Sequence, residues 1–398
     1  KQLEIIVNKR LINRELKIIL TYVIMTLLLF SSKDTWLSYH NGTVMYISQI
    51  LLFGILLLMN VYERKIDVNT LKIVLMLFIL VLASMLFNSD LSGYSMFVIL
   101  LIALFIEEKY EFKEFFHRFE QIIFLFTVMS LISTIAWCAL PDIDWNLIKI
   151  VPNEAVPWKF RLYGIFREPA MFCIYLGLGL AKCLFVQKTK NYLKVMIYLI
   201  ATLLTGSTTG YISVAFLVVC FMLFEEHDIK WKISFLAVAL FIGAIAVNNG
   251  LVEYFVSKIV TTGANAASSN SRYYSIICGA LVGMKYPIFG AGAIKSEQAF
   301  NNVLSYFSKE YFCWANMVTY LWASFGCLFI YIFLRGIGSA LPNKKKIVSF
   351  CWLTFIMLLL CGETMTYSSV MYIFMLYGFK RVPFGKVKIE LTGIRRGI

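Results

Sequence analysis

About twelve apolar runs constrain this chain more than any other feature: 16–31, 42–62, 70–87, 91–106, 119–140, 168–186, 192–205, 209–224, 233–248, 314–334, 347–361 and 364–379. Each is near, or a little below, the roughly 20 residues that a helix needs to cross hydrocarbon. Inside a bilayer no water satisfies backbone N–H and C=O groups, so a spanning segment is a helix or part of a closed barrel. Runs this long, without polar alternation, predict helices. The chain is therefore read as an all-α polytopic membrane protein with about 12 transmembrane helices, residues 1–398 forming one transmembrane domain.

Lysine and arginine set the orientation, because cytoplasmic loops collect them. With the N-terminus inside, the cytoplasmic side takes Lys9, Arg10, Arg14, Lys344 to Lys346 and the tail from Lys380 to Arg396, and both termini lie in the cytoplasm. The opposite side is then neutral, and the whole net charge of +14 falls inside. Topology accounts for the basic balance, and no nucleic-acid partner is implied. The nine cysteines are odd in number and form no Cys-x-x-Cys pair, and His40, His117 and His227 are scattered, so neither a disulfide framework nor a metal site is expected. The first apolar run lacks a signal-peptide pattern and is expected to stay as an anchor. There are no duplicated halves with matching broken helices, which counts against an inverted-repeat transporter.

Two long external loops, 141–167 and 249–313, carry the unusual chemistry. The first holds Asp142, Asp144, Trp145, Trp158 and Lys159, and ends in Arg161-Leu-Tyr-Gly-Ile-Phe-Arg-Glu-Pro169. In a chain that is 60% hydrophobic and 15% charged, two arginines and a glutamate this close together make a candidate site. Glu168 before Pro169 suits a helix start, whose N–H groups and dipole favour anions. Arg161 and Arg167 beside it suit a phosphate or diphosphate cradle. The plainer alternative is arginines snorkelling to headgroups and pairing with the glutamate. The interleaved Tyr163, Gly164 and Phe166 give a segment neither strand-like nor plainly amphipathic, which favours a site.

In the second loop Arg272-Tyr273-Tyr274 precedes an apolar stretch to Met284, read as a short helix against the bundle. Lys285 and Lys295 bracket Gly290-Ala-Gly292, which is either a tight turn or a weak phosphate loop. Phe300, Val303, Leu304, Phe307 and Tyr311 recur at helical spacing among polar residues, predicting an interfacial helix that covers a lipid-linked substrate or merely closes the surface. Glu363, beside Thr364 and Thr366, is expected to pair with one of the arginines or to line the cavity. No Walker loop, dinucleotide fingerprint or Ser-His-Asp set has its confirming context, so the energy of any reaction is expected to be stored in the substrate.

With these residues in view, the chain resembles the O-antigen and capsule repeat-unit polymerases (Wzy-type), relatives of the O-antigen ligases. The matching pieces are Arg161 to Pro169, the Thr205-Gly-Ser-Thr-Thr-Gly210 turn, Arg272 with its apolar segment, Pro287-Ile-Phe-Gly-Ala-Gly292, and Asn316-Met-Val-Thr-Tyr-Leu ahead of Gly326. The resemblance implies a glycosyltransferase-C-like architecture in the bacterial inner membrane, and a metal-independent, cofactor-free transferase of lipopolysaccharide and polysaccharide biosynthesis. Such an enzyme moves the growing glycan from undecaprenyl diphosphate to the next lipid-linked repeat, facing the periplasm or exterior, with a chain-length regulator as partner. For such a reaction the residues' own chemistry suits Arg161, Arg167 and Arg272 to stabilising the leaving diphosphate and Glu168 to acting as base or orienting group, with Trp158, Tyr163, Tyr273, Tyr274, Lys285, Lys295 and Asn316 as candidates around the substrate. Arg272 with Gly283 fits the family's Arg-x10-Gly pattern, whereas Arg167 reaches Gly177 one residue early. The ligases place His-Asn where this chain has Ala315-Asn316, which favours the polymerase over the ligase. A lipid-linked glycan flippase is a further alternative, but it should carry mid-helix charges that are nearly absent here.

Overall fold

Apolar sequence with few glycines and prolines closes its own backbone hydrogen bonds as helix, and this chain does so almost throughout. The computed structural model describes residues 2–63, 67–140, 148–154, 156–187, 191–224, 229–248, 250, 252–254, 256, 266–308, 312–341 and 346–382. The helices are α1 (Gln2–Phe30), α2 (Trp36–His40), α3 (Gly42–Glu63), α4 (Val68–Asn88), α5 (Tyr94–Lys109), α6 (Phe112–Ala139), α7 (Pro169–Ala181), α8 (Tyr192–Leu204), α9 (Thr208–Phe224) and α10 (Ile229–Asn248). They continue as α11 (Ala266–Lys285), α12 (Ala293–Phe307), α13 (Met317–Phe325), α14 (Cys327–Gly338), α15 (Lys346–Leu360) and α16 (Ser369–Arg381). Five segments, 42–59, 68–88, 91–109, 112–139 and 169–186, are long and apolar enough to cross a membrane by length and composition. Large apolar side chains such as Ile50, Leu58, Ile79, Leu86, Ile135 and Leu223 are exposed on the helices, as hydrocarbon-facing residues are and water-facing ones rarely are. The chain is a helical membrane protein.

Each predicted apolar run contains helix, with corrections. The run at 314–334 is two helices, broken at Gly326, whose φ is 88°. The last run begins its helix at Ser369 rather than 364. The chain is also not wholly α: β1 (Lys149–Pro152) pairs antiparallel with β2 (Phe160–Gly164), pairing Val151 with Arg161. The segment read as not strand-like is thus a strand, with Phe160, Leu162 and Gly164 buried and Arg161 and Tyr163 half-buried between them.

The loops meet at two separate ends of the helices. At one, the 30–42, 160–168, 205–207 and 361–368 segments touch, and Asn88 donates to the Gly290 carbonyl at 3.1 Å. At the other, the Asp67 N–H donates to Glu108 at 2.6 Å and Lys380 meets Glu107 at 2.8 Å. The 22 residues of α3 set such ends about 30 Å apart. α11 and α12 pack a smaller core of their own against α13, around Cys278, Val282, Phe300, Leu304 and Trp314. The amphipathic helix expected in the second loop is α12: Phe300 and Leu304 are buried, while Phe307 is exposed.

Candidate functional site

Glu168 and Pro169 open α7 as expected, with proline at the first helical position. Glu168 has extended backbone and its side chain makes no capping bond, so the carboxylate can serve another partner. The backbone just before it is pinned. The Trp36 N–H donates to the Ile165 carbonyl at 2.8 Å, and the Arg167 N–H donates to the Asp34 carbonyl at 3.0 Å. Between them Phe166 is buried, stacked on Phe172 at 5.2 Å and on Tyr175 at 4.5 Å. Arg167 therefore leaves a fixed point of the fold.

Its guanidinium reaches Glu363, Nη2 to Oε2 at 3.5 Å, and lies 5.3 Å from the Tyr39 ring centre. The Arg167 Nε is buried with no hydrogen-bond partner among the described residues. Glu363 is only 7% exposed and shares a carboxyl–carboxyl hydrogen bond with exposed Glu168. Two carboxylates cannot share such a bond without a proton. Burial, then the charge and hydrogen bond of Glu168, hold the Glu363 carboxyl well above the usual range, and Arg167 and Arg272 pull it back only in part. Arg167 and Glu168 from the first loop meet Glu363 from the turn between α15 and α16, and the charge of Arg272 from the second loop acts on Glu363.

The other expected site residues divide. Arg161 donates from Nε to the Thr205 carbonyl at 3.0 Å and from Nη2 to the Gly206 carbonyl at 3.3 Å, where α8 ends. The Tyr254 hydroxyl donates to the same Gly206 carbonyl at 2.7 Å. Orphan carbonyls at a helix end take such donors readily, so Arg161 holds the turn that the sequence singled out at 205–210. Trp158 Nε1 is buried without a partner among the described residues. Tyr163 is half-buried, with the Lys149 ammonium 5.3 Å from its ring. Tyr273 is exposed, and Tyr274 stacks on Phe312 at 5.3 Å. Asn316 caps α13, its Oδ1 accepting the Thr319 N–H at 2.9 Å, and also meets Cys361, two residues before Glu363.

Lys285 closes the far end of α11, about 20 Å along the helix from Arg272. Lys295 lies in the first turn of α12, where Asp90 Oδ2 accepts the Ile294 N–H at 2.7 Å. The anion-favouring helix start beside Gly290-Ala-Gly292 is therefore already filled by a carboxylate. The glycines instead serve a backbone crossing: a Cβ on Gly290 would strike the Ser324–Phe325 backbone and one on Gly326 the Ile288 carbonyl. Gly283, the partner of Arg272 in the expected pattern, has a packing reason, since a Cβ there would lie 2.6 Å from Trp322. Asp142, Asp144, Trp145 and Tyr311 lie outside the described residues.

Sequence reading left Glu363 out of the assigned site, although an acid in a short turn between two apolar runs was a visible signal. It missed Lys149 altogether, whose ammonium sits 3.1 Å over the Trp36 ring and whose pKa burial lowers. Among the described residues no group of three or more His, Cys, Asp and Glu side chains could hold a metal ion. Comparison with protein-family models, with curated proteins and with solved structures finds no match.

Proposed function

We propose that the chain is a polymerase of lipid-linked oligosaccharide repeat units, crossing the bacterial inner membrane about twelve times with the Arg167 end outside. The observation that carries this reading is the carboxyl pair Glu168–Glu363 with Arg167 and Arg272 acting on it at the loop end of an apolar bundle. Glycosyl transfer from a lipid diphosphate needs two groups that this cluster contains. As the C–O bond to the diphosphate breaks, charge develops on the leaving phosphate, and two arginines in a poorly hydrated site stabilise it. The incoming sugar hydroxyl attacks the anomeric carbon and loses its proton to a carboxylate. Exposed Glu168 takes that role, and Glu363 supports it through the shared proton. Arg161 acts at one remove, by fixing the 205–206 turn; Trp158 and Tyr163 offer ring faces to sugars. The orientation rests on the distribution of lysine and arginine.

The test is deletion of the gene in its native strain, with the surface glycan run on a gel. Collapse of the ladder to a single repeat, restored by the native gene but not by Arg167→Ala, is the expected result. Free polymer accumulating on its carrier lipid indicates the ligase reaction instead, and repeats trapped on the cytoplasmic face indicate a flippase.

A further inference from the structure

The Glu363 cluster does not align itself. Its contact with Arg167 is long at 3.5 Å, and Arg167 Nε has no partner among the described residues. A contact that loose does not fix two loops against each other. Their register comes from what lies beneath them. Three buried polar side chains stand there: Asp34, Tyr175 and Ser368, at 3%, 0% and 1% exposure.

The Tyr175 hydroxyl donates to Asp34 Oδ2 at 2.6 Å and lies 3.3 Å from Ser368 Oγ. A phenol has one hydrogen and the carboxylate takes it, so the Ser368 hydroxyl donates in the second bond. Each end of this relay leads to a segment of the site. The Asp34 carbonyl accepts the Arg167 N–H at 3.0 Å, and the Phe166 ring stacks on Tyr175 itself at 4.5 Å. Ser368 ends the turn that carries Glu363, five residues before it.

Packing alone does not account for these groups. α7 is buried along its whole length, and phenylalanine at 175 would fill the space with no hydroxyl to satisfy. Burying the Asp34 carboxylate costs more still. Ser368 stands at the start of α16, where a serine hydroxyl ordinarily caps the helix. It makes no capping bond and faces Tyr175 instead.

We propose that Tyr175 is a positioning residue, which through Asp34 and Ser368 sets the Arg167–Glu168 segment against the Glu363 turn. Its effect on polymer rests on the polymerase reading; its effect on the geometry of the carboxyl pair does not. The test compares Tyr175→Phe, Ser368→Ala and Asp34→Asn with the native full chain in lipid nanodiscs. Phenylalanine keeps the stack on Phe166. Asn316 at Cys361 and Tyr320 at Tyr367 still tie the turn to α13, so the variants should insert with near-native thermal midpoints.

The readout is the infrared stretch of the protonated carboxyl shared by Glu168 and Glu363. It is isolated at neutral pH as the difference between each protein and its Glu363→Gln counterpart. A merely structural role would lower the thermal midpoint and leave this band in place. Expected is loss or displacement of the band in Tyr175→Phe and Ser368→Ala. Asp34→Asn should retain it, because the amide oxygen still accepts the phenol hydrogen. Polymer formation should fall with the band by about 10- to 100-fold, the scale of a misplacement of about 1 Å. A native band in either of the first two variants, or no such band in the native protein, overturns the assignment. So does loss of the band in Asp34→Asn, which would put the effect on the charge of Asp34 rather than its bond to Tyr175. If Tyr175→Phe fails to fold, Ser368→Ala decides. An altered band with a native glycan ladder keeps the positioning and removes the polymerase site; a native band with a collapsed ladder does the reverse.

Discussion

Two charged clusters sit at the two ends of this bundle, and they are built differently. Around Glu120, fully buried, every acceptor is taken: Lys194 donates at 2.9 Å, Lys182 at 3.1 Å and the Tyr198 hydroxyl at 2.9 Å. Lys182 donates further to Gln187 at 3.2 Å and sits 3.3 Å from His117 Nδ1. Around Glu363 satisfaction is incomplete. The Arg167 contact is long at 3.5 Å, Arg167 Nε and nearby Thr366 Oγ1 are buried without partners among the described residues, and one carboxyl must hold a proton. A saturated cluster has nothing left with which to bind a substrate, whereas an unsaturated one carries unspent donors. The saturated Glu120 cluster fits a structural role, and the unspent donors beside Glu363 are what a reaction there could use.

The largest expected effect breaks the Glu363 cluster without touching the fold. Glu168→Gln removes the proposed base from an exposed side chain that makes no capping bond, so accumulation and thermal midpoint should stay near native. Polymer formation should fall by about 10²–10⁴, the usual contribution of a general acid–base group. Arg167→Ala should match it. A native ladder in both variants removes the site.

At the other cluster the sign of the comparison reverses. Glu120→Ala strands two lysines, one of them 5% exposed, and should destabilise by about 3–5 kcal/mol. The readout is loss of folded protein in the membrane, and whatever folds should keep native specific activity. A stable Glu120→Ala protein with no activity would mean that the Lys182 cluster also belongs to the mechanism.

A third, smaller effect concerns pH. Because Glu363 keeps its proton in the folded protein above the usual glutamate value of 4.5, the folded state binds more protons than the unfolded one there. Stability from this group is full below that value and is lost as pH rises towards the folded pKa, at up to about 1.4 kcal/mol per pH unit. Thermal midpoints of native and Glu363→Gln protein across pH 4 to about 8 check this: the native curve should fall relative to the variant. Parallel curves would show Glu363 ionised at neutral pH.

Hydropathy made the helices legible because a bilayer forces backbone groups to pair locally, whatever the tertiary contacts. The helix start at Glu168-Pro169 was equally local, written by a proline and a preceding extended residue. The strand through Arg161 was not, since its partner Val151 lies across a turn and alternation over five residues is a weak signal among aromatics. Nor was the break at Gly326, which depends on the Ile288–Phe289 backbone approaching it. Arg167 and Glu168 could be read as a site from their density in an apolar chain. For their partner Glu363 the sequence left pairing with an arginine and lining the cavity both open, because pairing over 196 positions leaves no periodic trace.

The smallest expected effect concerns Lys285, a candidate substrate contact from its place beside the Gly290-Ala-Gly292 turn. Its ammonium is exposed, 5.6 Å from the Tyr286 ring, and α11 carries it about 20 Å from Arg272. Charge at that range through water is screened, the Debye length being about 8 Å at physiological salt. Lys285→Ala should therefore change chain length and yield by less than about twofold, roughly 0.4 kcal/mol on the tenfold-per-1.4 scale. A tenfold loss, with the protein still inserted, would mean that the acceptor glycan runs the length of α11, and that recognition extends beyond the Arg167 cluster into the second loop.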